Sequence, residues 1–214
     1  MQNSSDKQIV YWLLIGCFLI FCMVLIGGIT RLTGSGLSIV EWNLIMGIIP
    51  PVTEAVWAVA FTKYKQFPQF KMINYEMAVA EFKNIYWWEY IHRFWGRMLG
   101  VVFIIPFLYF LIKKKINKVL FKKLSILFLL GALQGLIGWW MVKSGLVDKP
   151  NVSAYRLTTH LILALILYSY ILIIALKLLD PSDVAIGSNP NYGFLKKLSV
   201  TITGIVFLQI ILGG

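Results

Sequence analysis

Five long apolar stretches divide this chain, and more polar segments separate them. They cover residues 11–28, 94–112, 124–142, 157–179 and 198–214. A helix needs about 20 mostly apolar residues to cross the ~30 Å hydrocarbon layer of a bilayer, and each stretch approaches that length. A helix also satisfies its backbone hydrogen bonds internally, as a lipid environment requires. The pattern therefore predicts an all-α integral membrane protein, with a four-helix transmembrane bundle followed by part of a fifth helix.

The first apolar stretch has the flanks of a retained helix rather than of a signal peptide. MQNSSDK before it is barely basic, and GGITRLTGSG after it is not a small-residue cleavage site. The six residues before Lys7 contain no arginine and are too few for a mitochondrial transit peptide. We therefore expect a multi-pass protein of the bacterial inner membrane.

One connection is much longer than the others. It covers residues 30–87, and loops of this length are usually functional. Gly34 and Gly36 near its start permit tight backbone turns. Residues 74–83 have apolar side chains at helical spacing, which predicts an interfacial helix lying on the membrane surface.

Positive charge is concentrated in one short connection. The chain is 59% hydrophobic with a formal net charge of +11, and residues 113–123 contain six lysines and no acidic residue. The positive-inside rule makes this connection cytoplasmic, and the loop carrying Lys196 and Lys197 agrees with it. The amino terminus is then cytoplasmic, and the long 30–87 connection lies outside. Because topology accounts for the basicity, no nucleic-acid partner is predicted.

The two cysteines are predicted to be free. Cys17 and Cys22 lie five residues apart in the first helix, so they face different sides of it and lie beyond disulfide reach. We interpret both as small buried hydrophobic residues.

The first and fifth apolar stretches end alike. Residues 21–28 read FCMVLIGG and residues 207–214 read FLQIILGG. This similarity predicts a duplicated four-helix unit, of which the chain is the first part. The expected division is an amino-terminal four-helix half, residues 1–180, followed by a cytoplasmic linker and the start of a second half, residues 181–214.

The chain has two histidines, and the predicted topology places them at similar depth. His92 begins the second helix, His160 lies about one turn into the fourth, and both helices run from the outside inwards. Two imidazoles from different helices can approach opposite faces of one heme iron, as a bis-histidine heme site requires. The alternative is that each is a hydrogen-bonded interfacial residue. Ionisable groups inside a membrane usually have a function, which favours the heme site.

Small residues follow each histidine on the same helix face. Gly96 and Gly100 follow His92 at intervals of four, and Ala164 follows His160 by four. They would leave room for a porphyrin. The alternative is a close helix contact, which is also the interpretation of Gly131 and Gly135 in the third helix.

Three charged residues surround His92. Glu89 precedes His92 by three residues and Arg93 by four, so a helix brings it near both. It either stabilises the helix start and pairs with Arg93, or serves as a proton-removing or cation-stabilising group beside a heme edge. Arg93 and Arg97 either contact heme propionates or extend to lipid headgroups.

Four segments carry a resemblance to a known family. They are GGITRLTGSGLSIVEWNLIMGIIPP (27–51), NYEMAVAEFKNIYWWEYIHRFWGRMLG (74–100), LQGLIGWWMVKSGL (133–146) and VSAYRLTTHL (152–161). Together they closely resemble heme A synthase of the proteobacterial and mitochondrial type, and the match runs through nearly the whole chain from Gly27.

The resemblance implies an eight-helix protein of two similar halves, each with a histidine pair. Such enzymes oxidise the C8 methyl group of heme O to a formyl group, giving the heme A of cytochrome oxidase, with oxygen thought to come from water. The carboxy-terminal half holds a heme b cofactor, and the amino-terminal half is the proposed site for the substrate heme O. The family's Glu-x-x-His-Arg motif falls on Glu89, which is implied to be catalytic. The iron ligands of this half fall on His92 and His160.

The sequence also departs from the family pattern. The long connection lacks the cysteine pair of some bacterial members, so no thiol-dependent step is expected. The second histidine pair is absent because the sequence ends in the fifth helix, and a protein that ended at Gly214 would bind the substrate heme without the cofactor site needed to oxidise it. Expected partners are heme O, the lipid bilayer, heme O synthase and cytochrome oxidase assembly factors, with a homo-oligomer as a further option. The alternatives are a b-type cytochrome subunit and a channel or transporter with a proton path through Glu89 and His92. Few ionisable residues lie deep in the helices, which argues against the channel.

Overall fold

The computed structural model describes residues 4–42, 46–180 and 192–213, and every regular element within these ranges is helical. The elements are α1 (Ser4–Leu32), a short 3-10 helix (Met46–Ile48), α2 (Glu54–Tyr64), α3 (Pro68–Met72), α4 (Val79–Ile112), α5 (Lys118–Lys143), α6 (Ala154–Leu179) and α7 (Tyr192–Gly213). Five of these helices, α1 and α4 to α7, are long and apolar enough to cross a membrane. The predicted all-α multi-pass fold is thus confirmed. Most of the predicted linker that begins at residue 181 lies outside the described residues.

The first four long helices form an up-and-down bundle. α1 packs along both α4 and α6, α6 packs also along α5, and α4 touches α5 over a shorter stretch. α4 and α6 therefore occupy opposite corners of the bundle. We call the end of the bundle with the 113–117 connection the lysine end. The opposite end, where α4 enters the bundle, is the histidine end.

Large apolar side chains fill the core at the lysine end. The buried members of this cluster come from all four helices: Ile9, Trp12, Leu13, Cys17, Phe110, Leu120, Leu124, Leu127, Leu167, Ile171, Ile174 and Ala175. Both cysteines are free, as predicted. Cys17 is one of the buried members, whereas Cys22, also predicted to be buried, is only partly buried. Lipid tails are as apolar as these side chains, so close van der Waals packing between the helices supplies the main stabilisation of this end.

A proline inside α4 is compensated by a tryptophan of α1. Pro106 has no N–H, so the carbonyl of Val102 loses its normal donor four residues later. The indole N–H of Trp12 donates to the Val102 oxygen at 2.8 Å instead. This bond lets α4 continue through the bilayer region without an unsatisfied carbonyl.

α4 is longer than a membrane span requires. Its 34 residues give a length of roughly 50 Å, so its first turns extend beyond the histidine end of the bundle. The predicted interfacial helix over residues 74–83 is wrong as a separate element, because residues 79–83 are the first turns of α4. Of the apolar residues that gave this spacing, Phe82 packs against the long connection (residues 33–78), whereas Tyr75, Ala78 and Val79 are exposed.

The long connection folds against this extension of α4. Its buried cluster joins α2 to α4 through Trp57, Phe61, Tyr64 and Phe82. The Tyr64 hydroxyl donates to Gln69 Oε1 at 3.0 Å and accepts from Asn74 Nδ2 at 2.7 Å. Gln69 in turn donates to the carbonyl of Gly34, whose φ of +63° suits glycine. The connection is therefore a packed cap over the histidine end rather than an open loop.

Candidate functional site

The two histidines lie on helices at opposite corners of the bundle, towards the histidine end. His92 is on α4, and His160 is on the face of α6 that buries Leu163, Leu167 and Ile171. Both histidines are partly buried. The structure thus places the two predicted histidines at the same end of the bundle.

Each imidazole lies against a glycine of a neighbouring helix. A Cβ atom on Gly27 of α1 would lie 3.2 Å from His92 Nε2, and one on Gly138 of α5 would lie 2.9 Å from His160 Cε1. The second distance is shorter than real Cβ contacts allow, so a larger residue at position 138 would displace the ring. Glycine at these two positions gives both rings room to face the core.

The core at the histidine end is not filled as it is at the lysine end. α5 buries Leu120, Leu124 and Leu127 along one stripe, and the same stripe continues as Gly131, Gln134 and Gly138. No atom lies within 4 Å of a Cβ built on Gly131, on its neighbour Gly135 or on Gly100 of α4. The change from leucine to glycine leaves this face of α5 open at positions 131 and 135, beside Gln134 and Gly138, and we call this opening the cleft.

These contacts distinguish the two interpretations of the glycines, which were room for a porphyrin and a close helix contact. Gly96 makes a close helix contact, since its Cβ would lie 3.4 Å from Met23 Cε of α1. Gly100 borders open space, as expected for a position that leaves room for a bound group. The prediction of a close helix contact at Gly131 and Gly135 is wrong, because both border open space.

Gln134 is a site residue that the sequence reasoning missed. Its Nε2 donates to the backbone carbonyl of His160 at 3.0 Å and lies 3.4 Å from the ring atom Nε2 of His160. Its Oε1 and His160 Nδ1 are buried and have no hydrogen-bond partner. A lone carboxamide in the apolar run of residues 126–142 was the available signal.

Glu89 is buried and holds the long connection to α4. Its side chain is 3% exposed and forms an ion pair with Arg93, from Oε1 to Nη2, at 2.6 Å. Oε2 accepts from the Ser38 hydroxyl at 2.7 Å and from the Ile39 N–H at 2.8 Å. The predicted pairing with Arg93 is therefore present. The helix-start role is wrong, because α4 begins ten residues earlier, at Val79.

Arg93 also faces the long connection. It donates through Nε and Nη2 to Glu89, through Nη2 to the Ile39 carbonyl and through Nη1 to the Glu41 carbonyl. Its guanidinium lies over the Trp42 ring, 5.3 Å from the centroid. These bonds occupy four of the five N–H donors of an arginine. Arg97 lies one turn further along α4 and is half-buried.

The residues present fit a heme better than a bare metal ion. Among the described residues, no group of three or more histidine, cysteine, aspartate or glutamate side chains could hold an ion. A porphyrin supplies the equatorial ligands itself and needs only two axial imidazoles from the protein. No atom fills the side-chain space at Gly131 and Gly135, which flank Gln134 beside His160, and the unpartnered His160 Nδ1 shows that this ring has bonding capacity unused.

A family model decides the classification of the chain. The model of the cytochrome oxidase assembly protein family, COX15-CtaA, matches residues 10–214. The chain belongs to this family. Membership agrees with the resemblance that the sequence segments carried.

Curated proteins that are similar to this chain include heme A synthases. The heme A synthase of Nitrosospira multiformis is 50% identical over 211 residues, which is 99% of this chain and 59% of the relative. The heme A synthases of Nitrosomonas eutropha and Flavobacterium psychrophilum are each 48% identical over 99% of this chain, covering 60% and 61% of the relatives. The chain thus spans about three fifths of the length of these relatives. No solved structure matches it.

Proposed function

We propose that this chain forms the heme O-binding, amino-terminal half of an eight-helix heme A synthase. The reaction is oxidation of the C8 methyl group of heme O to a formyl group, giving heme A for cytochrome oxidase. The similarity to heme A synthases over 99% of the chain supports the activity. The observation that carries the assignment of the site is the pair of histidines on diagonally opposite helices, with open side-chain space at Gly131 and Gly135 beside the residues that contact His160.

His92 and His160 are the proposed axial ligands of the substrate heme iron. They come from α4 and α6, the opposite corners of the bundle, so they can approach a planar group from opposite faces. Gly27 and Gly138 allow this by leaving space for the rings. No cluster of other ligands competes for this role among the described residues.

Glu89 is the proposed catalytic residue, and its bonds favour one of its two candidate roles. A carboxylate has about four lone-pair sites, and Glu89 already accepts four hydrogen bonds. Taking a proton or orienting a water would require one of these bonds to break. Stabilising positive charge that develops at the C8 methyl group requires no such rearrangement. The electrostatic role is therefore the one that this geometry supports.

Arg97 is a better candidate than Arg93 for contact with a heme propionate. The guanidinium of Arg93 is committed to Glu89 and to two carbonyls of the long connection. Arg97 lies one turn deeper along α4, nearer to the level of Gly100 and the cleft. A planar guanidinium can bind a carboxylate with two parallel hydrogen bonds.

The whole protein would also need an electron route. Converting a methyl group and one water into a formyl group releases four electrons and four protons, which an acceptor must take. The proposed second half supplies the heme b cofactor. Heme O synthase and cytochrome oxidase assembly factors are the proposed partners, with a homo-oligomer as a further option. The proposed location is the bacterial inner membrane with the amino terminus cytoplasmic.

Heme analysis in cells tests the activity. In the complete protein, expressed in a strain without its own heme A synthase, Glu89→Ala and His92→Ala should each abolish heme A while the protein remains in the membrane. Glu76→Ala, an exposed residue of the long connection, is the control and should leave heme A unchanged. Heme A at the wild-type level in either variant would contradict the role of that residue.

A b-type cytochrome subunit, which holds heme without modifying it, is the second candidate function. The observation that favours it is the fully bonded state of Glu89, which also suits a purely structural carboxylate. Membranes containing the complete protein, incubated with heme O, separate the two functions. Extracted heme A supports the synthase, and unchanged heme O supports the cytochrome.

A further inference from the structure

A carboxamide on α5 contacts His160 at both its backbone and its ring. Gln134 interrupts the apolar run of residues 126–142, and its Nε2 donates to the His160 carbonyl at 3.0 Å. The same Nε2 lies 3.4 Å from the ring Nε2 of His160. α5 contains no histidine, and its only carboxamide side chain, that of Gln134, contacts His160.

Two atoms of this pair are buried without a hydrogen-bond partner. They are Gln134 Oε1, an acceptor, and His160 Nδ1, a ring nitrogen. A neutral imidazole has one N–H donor and one nitrogen with a lone pair, so it can donate to a carboxamide oxygen and bind a metal at the same time. Leaving buried polar atoms unpaired costs about 1–3 kcal/mol each, so the arrangement is unsatisfied as it stands.

We propose that Gln134 is the positioning residue for His160, whose imidazole donates its free N–H to the Gln134 carboxamide when the other ring nitrogen binds heme iron. This inference rests on the proposed heme site. Histidines that bind metals almost always donate their second ring N–H to an acceptor, which fixes the orientation of the ring and makes it a stronger ligand. Gln134 Oε1 is a buried, unpartnered acceptor on the same carboxamide whose Nε2 lies beside this ring, so a rotation of the carboxamide brings it to the ring.

Gly138 restricts the same ring from a second direction. It lies one turn beyond Gln134 on the same face of α5, and a Cβ there would come within 2.9 Å of His160 Cε1. Gln134 thus holds the ring through hydrogen bonds, and Gly138 sets how closely it approaches α5. Neither residue is itself a ligand.

Heme titration of the purified chain in detergent, with iron protoporphyrin IX as the probe, tests this role. Gln134→Leu removes the acceptor, Gln134→Glu keeps a carboxyl oxygen, and Gln209→Leu makes the same change at an exposed position of α7. We expect Gln134→Leu to weaken heme binding by about 10- to 100-fold. Its midpoint potential should rise, because an imidazole without an acceptor stabilises ferric iron less. Gln134→Glu should retain most of the affinity with a lower potential, and Gln209→Leu should match the wild type.

The outcomes separate this inference from the heme site on which it rests. Wild-type affinity and potential in Gln134→Leu overturn the inference, as does equal weakening in Gln134→Glu and Gln134→Leu. Heme binding that survives His160→Ala, or a wild-type chain that binds no heme, overturns the heme site as well. If Gln134→Leu does not fold, Gly138→Ala against Gly204→Ala is the second test. A shift of the heme spectrum or potential in Gly138→Ala alone supports the role of α5, and identical behaviour of the two variants contradicts it.

Discussion

The absence of a Cβ atom at two glycine positions leaves room for the two imidazole rings. The sequence predicted His92 and His160 as a pair, because ionisable residues in apolar helices are rare and the topology puts them at one depth. It could not predict their neighbours, since Gly27 and Gly138 lie on other helices and only tertiary packing brings them to the rings. Arg93 was predicted as a partner of Glu89, but its other two partners, Ser38 and Ile39, were hidden for the same reason, because they lie about fifty residues earlier.

Gly27→Ala tests the steric control of His92. The added Cβ would lie 3.2 Å from His92 Nε2, so the ring must move, and we expect heme affinity to fall by roughly 10-fold. Gly28→Ala is the matched control, because no atom lies within 4 Å of its Cβ. Both variants gain the same helix propensity. Heme titration of the two chains compares them, and equal affinities would contradict the steric role.

The hydrogen bond from the Trp12 indole should stabilise the chain only while residue 106 is proline. Trp12→Phe leaves the Val102 carbonyl without its donor, which costs about 1–2 kcal/mol. In a Pro106→Ala background the backbone N–H of residue 106 is restored and donates to the Val102 carbonyl. Trp12→Phe should then lower the free energy of unfolding by less. Thermal unfolding of the four chains in detergent gives the coupling between the two residues. Equal costs in the two backgrounds would show that the indole contributes packing alone.

At the scale of elements, the length of the apolar runs was enough to predict the membrane-spanning helices. It was not enough to predict the helices of the cap. The five long helices follow from apolar runs near 20 residues. α2, α3 and the extension of α4 were missed because their apolar side chains pack against each other, so no long run marks them. Spacing did predict a helix near residues 74–83. It could not show that this helix continues into the transmembrane segment.

Glu89 should keep the long connection closed over the bundle. Glu89→Gln breaks the buried pair with Arg93 and leaves its guanidinium uncompensated, at a cost on the order of 3 kcal/mol. We expect trypsin to cleave at exposed Lys63, Lys65 or Lys71 much faster in this variant. Glu76→Gln is the control, because Glu76 is exposed. Cleavage at the same rate in both variants would argue that the cap is held by its aromatic cluster instead.

At the scale of the whole molecule, the connections at the two ends of the bundle should lie on opposite sides of the membrane. The tests are Val52→Cys in the long connection, where the side chain is 77% exposed, and Lys114→Cys at the lysine end. In intact cells a membrane-impermeant thiol reagent should label only Val52→Cys, and permeabilised cells should show both. The wild-type chain controls for Cys17 and Cys22. Labelling of Lys114→Cys in intact cells would reverse the proposed orientation.

The uneven core has a consequence for turnover. In the proposed function, the substrate heme must leave after reaction, so its site has to keep its shape without it. The leucine, isoleucine and phenylalanine side chains at the lysine end pack all four helices together. For the proposed site, this means that heme can enter and leave at the histidine end while packing at the lysine end keeps the bundle folded.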